Sequence, residues 1–573
     1  MRAFAANWVK HMNKLIECVP NFSEGRDMTV MKRITDAIES VDGVSLLDVD
    51  PGAATNRTVV TFVGAPQAVL DAAVLAGKVS AALIDMSKHH GEHPRFGAMD
   101  VCPLVPIAGV TMEETVAYAH TLAKRLGEEA GLTIYCYENA ARSAARRNLA
   151  DVRCGEYEGL QERLQNPHWA PDFGPAIFQP RSGATAVGAR DFLVAYNVNL
   201  NTTSSRRANA IAFDVREKGR VRREPDPLIG AIVRDANGEP LWIAGSLPCV
   251  KGIGWFIEEF GICQVSMNLT NIAITPAHVA FDEVCEKARA RGIRVSGSEL
   301  VGLIPLNAML DAGRYFLHKQ QRSTGISDAE LIKIAVKSMG LDELYPFRPE
   351  EKIIEYVLAA KTKRKLLVDL SLKGFVEETA AESPAPGGGS VAATLGALGA
   401  ALGTMVANLS AHKTGWDARW EEFSDWAERG KACHAELLAL VDRDTDAFHA
   451  IMATWKMPNQ TEQQKALKNA ATQDAVLQAI TVPFRIMEVA LQSMAVASAM
   501  VDSGIPASIS DAAVGALCGR AAVMGAYLNV RVNSGDLADT AARQDFLERG
   551  ATLQARAIEL EQDILRRVDA VLG

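Results

Sequence analysis

Seven residues, His89 to Arg95 (HHGEHPR), hold three histidines, a glutamate and an arginine, with a glycine and a proline among them. Histidine is the side chain whose unperturbed charge change lies nearest physiological pH, so such a cluster suits proton transfer. Gly91 frees the backbone to turn and Pro94 biases His93 toward extended geometry. His93 is therefore expected on a stiff loop, its imidazole near Glu92, Arg95 and the neighbouring histidines. The same residues also spell H-x-x-E-H through His89, Glu92 and His93. That pattern holds zinc only where ligands four apart share a helix face, and Gly91 and Pro94 oppose a helix. A cluster of merely solvated loop residues is the third reading.

A second candidate lies far downstream. Stepping by three or four from Leu437 through Val441 to Phe448 and Ile451 puts Asp444 in an apolar helix stripe, with Asp442 and Asp446 off it. A carboxylate there is costly unless paired or functional. Pro384 to Ser390 (PAPGGGS) places Gly387, Gly388, Gly389 and Ser390 directly before an apolar helix. Its free N–H groups can hold an anion, or its glycines can permit close packing. Asn529 and Asn533, four apart, share a helix face and are candidates for the same pocket. Upstream, Trp169 to Gly183 (WAPDFGPAIFQPRSG) reads as an irregular loop. Its rings Trp169, Phe173 and Phe178 suit a flat ligand, and Arg181, with Arg206 and Arg207, suits carboxylates. A packed crossover loop with solvated arginines is the alternative.

The elements that must position these residues are legible in outline. Leu15–Val19, Val44–Val49 and Arg57–Val63 read as strands. Pro66 opens a helix with Val69, Ala73, Ala76, Val79 and Leu83 on one face, which delivers the chain into the histidine loop. Thr111 and Glu114 form a capping box for the next helix, and Leu132–Tyr137 returns as a strand. Asp191–Leu200 and Cys263–Leu269 are further strands, Pro276 opens a helix to Arg289, and Asn237-Gly238 marks an inserted hairpin. Beyond a basic linker at Lys361–Lys365 strand signals nearly vanish and Ala/Leu-rich helical patterns dominate. The expected fold is α+β followed by an all-α domain.

At 573 residues the chain is too long for one core, and its net charge of -9 argues against general nucleic-acid binding. Nine scattered cysteines without a C-x-x-C indicate a reducing, cytoplasmic setting without disulfides or structural zinc. The first residues lack the apolar core of a signal peptide, and Met12 is an alternative start. One membrane-like run, Val391–Leu409, stands alone and reads as a buried bundle helix, so no membrane span is expected.

Taken together, ECVPNFSEGRD (Glu17–Asp27), LLDVD with TNRTV (Leu46–Val59), HHGEHPRFGAMDVCP and WAPDFGP resemble glutamate formimidoyltransferase. SPAPGGGSVAA (Ser383–Ala393), the VDRD around Asp444 and GAYLNV (Gly525–Val530) resemble formimidoyltetrahydrofolate cyclodeaminase. Order and length resemble the bifunctional family in which the two are fused, from about Asn13 to the C-terminus. The resemblance implies two ferredoxin-like subdomains, residues 14–190 and 191–345, a linker at 346–365 and a helical cyclodeaminase at 366–573. It implies transfer of a formimidoyl group from N-formimidoyl-L-glutamate to tetrahydrofolate, mono- or polyglutamylated, as co-substrate. Ring closure to 5,10-methenyltetrahydrofolate then releases ammonia, in histidine degradation and one-carbon metabolism.

Carried over by motif, His93 is the transferase catalytic residue and Asp444 the cyclodeaminase one. Gly174, Pro175, Ala176, Ile177, Phe178, Gln179, Pro180, Arg181, Ser182 and Gly183 form the folate-contacting loop. In the chemistry so implied, Asp50 is assigned to orient the cation-like formimidoyl group and Arg57 a carboxylate. No metal is expected, and a homo-oligomer is. The insert around Asn237 departs from animal members of the family and resembles bacterial ones, and the N-terminal extension matches no part of the family pattern. Rival readings are a metal-dependent hydrolase through His89, Glu92 and His93, and a non-catalytic folate-binding scaffold.

Overall fold

The structure is a computed structural model that describes residues 14–52, 56–91, 95–226, 229–258, 260–361 and 366–573. Apolar residues from Leu15 onward make the first strand. Pro20 lacks an N–H for the ladder, and the strand is split there into β1 (Leu15–Cys18) and β2 (Asn21–Phe22). Both pieces lie between β4 (Arg57–Gly64) and β5 (Met99–Ala108), and β3 (Val44–Gly52) pairs with β4, all antiparallel. β6 (Thr133–Glu138) and β7 (Ala184–Ala189) extend the sheet beyond β5 in parallel, β7 lying between.

Helices α1 (Met28–Glu39), α2 (Pro66–Leu83) and α3 (Met112–Glu129) cover one face and bury Ile34, Phe62, Leu70, Leu104 and Leu122. Pro66 begins α2 and the Thr111–Glu114 capping box closes the start of α3, as read from the sequence. On the other face Phe96, Val101, Tyr135 and Tyr137 pack under short helical turns that bring in Val152 and Leu160.

Strand, helix, two strands, helix and strand in the order β3–β4–β1/β2–β5 make the first subdomain ferredoxin-like. The next segment repeats this pattern. β8 (Val194–Leu200), α4 (Ser205–Val215), β9 (Val250–Ile257), β10 (Ile262–Leu269), α5 (Ala277–Arg289) and β11 (Val295–Val301) form an antiparallel sheet ordered β9–β10–β8–β11. The insert before β9 is more than one hairpin. It holds two two-residue ladders, and the Asn237-Gly238 turn is closed by an Arg234–Pro240 bridge.

The chain divides into two compact units. One takes in the described chain to Ala308 with Met339–Thr362, and the other takes Met309–Ser338 with Lys363–Gly573. The second unit is helical: α6 (Gly388–Ala411), α7 (Trp420–Trp455), α8 (Glu462–Ser503), α9 (Ile509–Asn533) and α10 (Thr540–Leu572). Small residues let α6 and α9 approach closely, since a methyl group at Gly399 would lie 2.6 Å from the Gly515 carbonyl oxygen.

Among the described residues three helical stretches, not one, are long and apolar enough by length and composition to cross a membrane: Gly388–Ala411, Glu462–Ser503 and Pro506–Asp536. Their apolar windows are 61, 56 and 50% buried inside the unit, so helix packing accounts for much of that composition.

Candidate active sites

The first site begins with Asn56. It holds a left-handed backbone (φ 48°), a conformation that asparagine tolerates better than most residues. Its side chain accepts from the Gly25 N–H (3.0 Å) and donates to the His90 carbonyl (3.0 Å). Its own carbonyl accepts from His89 Nε2 (2.7 Å). His89 is buried, its pKa lowered by desolvation, and the bond to Asn56 commits Nε2 to a structural partner. From the other end, the Arg95 carbonyl accepts from the Tyr157 N–H, and the Arg95 guanidinium pairs with Glu158 and lies over the Tyr157 ring. Glu92, His93 and Pro94 lie outside the described residues. His89, His90 and Arg95, on either side of them, are each tied to the fold.

Next along the chain, Arg57 points to the sheet face opposite the three helices. Burial pushes its pKa down, while the Asp100 carboxylate beside it acts the other way. The register pairs Asp50 with Val59 and Gly52 with Arg57, so Asp50 and Arg57 share that face, and Asp50 is exposed.

Gly174 to Gly183 is anchored mostly through its backbone. The Pro175 carbonyl accepts from Thr133 Oγ1 (2.8 Å), the Pro180 carbonyl from the Tyr157 hydroxyl (2.6 Å) and the Arg181 carbonyl from the Met86 N–H (2.9 Å). Gln179 Nε2 donates to the Gly131 carbonyl and its Oε1 accepts from Ser182. Gly174 and Gly183 have positive φ and touch the Leu132 and Phe96 carbonyls, contacts a side chain would block. Ala176 and Ile177 remain exposed at the tip.

The three rings pack on different neighbours. Trp169 packs on Tyr135 beneath the Arg163 guanidinium, Phe173 lies under Arg142, and Phe178 packs on Tyr157. Arg206 and Arg207 are exposed in the first turn of α4.

The second site lies at the start of α6. Ser390 is fully buried, its Oγ 3.0 Å from Asp444 Oδ2 and 3.0 Å from the Val441 carbonyl oxygen. A methyl group at Gly389 would fall 2.1 Å from Asp444 Oδ1, so only glycine lets the carboxylate sit there. Burial raises the Asp444 pKa, against hydrogen bonds from the Ser390 hydroxyl and N–H. The Asn529 amide lies by Gly388 and donates to the Gly525 carbonyl, so Gly388, Gly389, Ser390, Asp444 and Asn529 come together, with Gly387 as the helix N-cap. Asn533 is committed elsewhere, donating to the Ala479 carbonyl in α8.

The helix stripe was incomplete in one respect. Asp442 is also buried, and it accepts from the Leu367 N–H (2.8 Å), clamping the chain that enters the unit. Asn56 went without a role in the sequence reading, although a polar residue beside a strand start is a turn signal. Asp100 carries the signal that marked Asp444, a carboxylate among apolar residues, and it too went unread.

A buried carboxylate at a glycine-rich helix start in a helical region, on one chain with two ferredoxin-like sheets, defines a protein of two dissimilar parts. Family comparisons agree with that division. Residues 15–190 match the N-terminal subdomain of the formiminotransferase domain, 195–359 the formiminotransferase domain and 371–552 formiminotransferase-cyclodeaminase.

The chain is 43% identical over 528 residues to the formimidoyltransferase-cyclodeaminase of Gallus gallus, covering 92% of this chain and 94% of the relative. The glutamate formimidoyltransferase of Thermoplasma acidophilum is 42% identical over 305 residues, 53% of this chain and 92% of its own length. The methenyltetrahydrofolate cyclohydrolase of Methylorubrum extorquens is 32% identical over 198 residues, 35% of this chain and 95% of its own. The chain belongs to the formimidoyltransferase-cyclodeaminase family and is a bifunctional, folate-dependent enzyme.

Proposed function

We propose that His93 and Asp444 divide two consecutive reactions on one folate, residues 14–190 and 191–345 forming the transferase and 366–573 the cyclodeaminase. In the first reaction N5 of tetrahydrofolate attacks the amidine-like carbon of N-formimidoyl-L-glutamate. N5 loses a proton, the C–N bond to glutamate breaks, and the glutamate nitrogen gains a proton. One imidazole, that of His93, serves as base and then acid. Asp50 steadies the cationic formimidoyl group and Arg57 a carboxylate. An Asp50→Asn enzyme is expected to lose turnover at least about tenfold, and full turnover would remove that role. Residues 174–183 supply the folate contact.

In the second reaction N10 attacks the formimidoyl carbon, ammonia leaves, and 5,10-methenyltetrahydrofolate forms. Asp444 moves the proton, with Ser390 and the α6 N-terminus beside it. The observation that carries this reading is the convergence of Gly389, Ser390 and Asp444.

Given both substrates, the purified chain is expected to produce methenyltetrahydrofolate absorbance together with ammonia. His93→Ala should lose transfer and keep ring closure, and Asp444→Ala should do the reverse. Loss of both activities in either folded variant sinks the division.

The enzyme is also proposed to be cytoplasmic and a homo-oligomer. Leu398, Met405 and Leu409 on α6, with Val514, Leu517, Leu528 and Val532 on α9, expose apolar side chains that a second copy would cover. Sedimentation as a monomer at micromolar concentration would reject self-association.

A further inference from the structure

The apolar stripe that holds Asp444 continues past it, and the ring closure above leaves that part unused. At about 100° per residue, Phe448, Ile451 and Trp455 all lie within about 40° of Asp444 around α7. Burial along the stripe falls away toward the end of the helix. Leu437 and Val441 are fully buried, Asp444, Phe448 and Ile451 less completely, and Trp455 is 64% exposed. Over the same turns Ala447 and Thr454, roughly 60–80° around the helix, are buried. The last turns of α7 therefore pack through one side and present the Asp444 side outward.

Trp455 is held at a fixed place. It is the last residue of α7, and Lys468 Nζ from α8 donates to the Trp455 and Met457 carbonyls (3.1 and 3.3 Å), filling acceptors that a helix end leaves open. A lone exposed tryptophan is ordinary surface, but this one completes a stripe that leads to a carboxylate. Along the helix axis Phe448 lies about 6 Å from Asp444 and Trp455 about 16 Å. Long helical side chains lean toward the N-terminus, which shortens both separations.

The chemistry at Asp444 says what such a surface would cover. The carbon that reacts there becomes bonded to N10, and N10 is attached directly to the aminobenzoyl ring of the folate. With that carbon at Asp444, the flat ring must lie close by, and the stripe offers it two aromatic faces in succession.

We infer that Trp455, with Phe448 between it and Asp444, is the platform on which the aminobenzoyl ring of the folate stacks during ring closure. The inference rests on the cyclodeaminase reading above.

The test is ring-closure kinetics of the full-length chain and its Trp455→Ala and Trp455→Phe variants, with 5-formimidoyltetrahydrofolate as substrate and 5,10-methenyltetrahydrofolate as product inhibitor. Trp455→Ala should raise KM about five- to fiftyfold, raise the inhibition constant by a similar factor and change kcat less than about threefold. Trp455→Phe, which keeps a ring, should recover most of the loss. Formimidoyl transfer by the same variants, read as glutamate release, reports on folding.

An unchanged KM in Trp455→Ala, or a fall in kcat alone, overturns the inference. The competing occupant of an exposed indole is a second copy of the chain. If Trp455→Ala changes the sedimentation coefficient, whatever its KM, the indole belongs to a contact between copies and the inference is overturned. Ring closure lost in Asp444→Ala with KM unchanged in Trp455→Ala sinks this inference alone. Ring closure retained in Asp444→Ala sinks the cyclodeaminase reading instead.

Discussion

A methyl group at residue 389 has nowhere to go: the Asp444 carboxylate already occupies that space. Gly389→Ala is therefore expected to abolish ring closure while leaving formimidoyl transfer intact, which one assay of each activity decides. Asp444 holds its proton to higher pH than an ordinary aspartate because it is buried, and the Ser390 hydroxyl works against that by stabilising the carboxylate. Ser390→Ala should move the Asp444-dependent limb of the ring-closure rate further up in pH, and a downward move would contradict this account.

Glu17 makes the corresponding case for stability. It lies on β1 opposite Val63 and Val105, and burial pushes its pKa up to about 7 from 4.5, with Arg190 opposing. A raised carboxyl pKa means the folded state keeps a proton that the unfolded chain gives up. Its contribution is complete below pH 4.5 and is lost as pH rises to about 7, on the order of 3 kcal/mol. Glu17→Gln should flatten that slope, measured by urea unfolding at about pH 5 and about pH 8.

Among the elements, the histidine loop depends on a residue outside it. Asn56 bonds to Gly25, His89 and His90 from a left-handed backbone, so it fixes where the loop begins. Asn56→Ala loses both side-chain bonds and adds backbone strain of about 1–2 kcal/mol. Transfer should slow by about tenfold or more while ring closure continues, and unaltered transfer would show that the loop holds itself.

The sequence made much of this scale legible. Strands β1, β3 and β4, the proline start of α2 and the Thr111 capping box were readable because local pattern and capping chemistry act within a few residues. β7 was not, since ATAVGA has no strong alternation, and Gly188 is small because the Tyr137 ring packs against it. Of the candidate site residues, the cluster of Asp444, Gly389 and Ser390 was legible as a polar break in a stripe and a glycine-rich helix start. The ion pair of Arg153 with Asp100 gave no signal, because only the fold brings residue 153 to residue 100.

For the molecule as a whole, the last described strand ends at Val301, well before the basic linker, and packing does not divide at the linker either. Residues 309–338 belong with the helical unit through Ser323 Oγ to Asn408 (2.7 Å), the Thr324 N–H to Ser424 (3.1 Å) and Lys431 to Asp328 (3.1 Å). A protease site placed at residues 362–365 and then cut should leave two pieces that elute together in gel filtration. Two separate peaks would mean these contacts are too weak to matter.

The same interleaving sets a schedule for synthesis. Thr324 leaves the ribosome 100 residues before its partner Ser424. At about 5–20 residues per second the delay is roughly 5–20 s, far longer than local helix formation takes. Through that interval the apolar side of the early helices waits uncovered, and a nascent-chain chaperone would find it there.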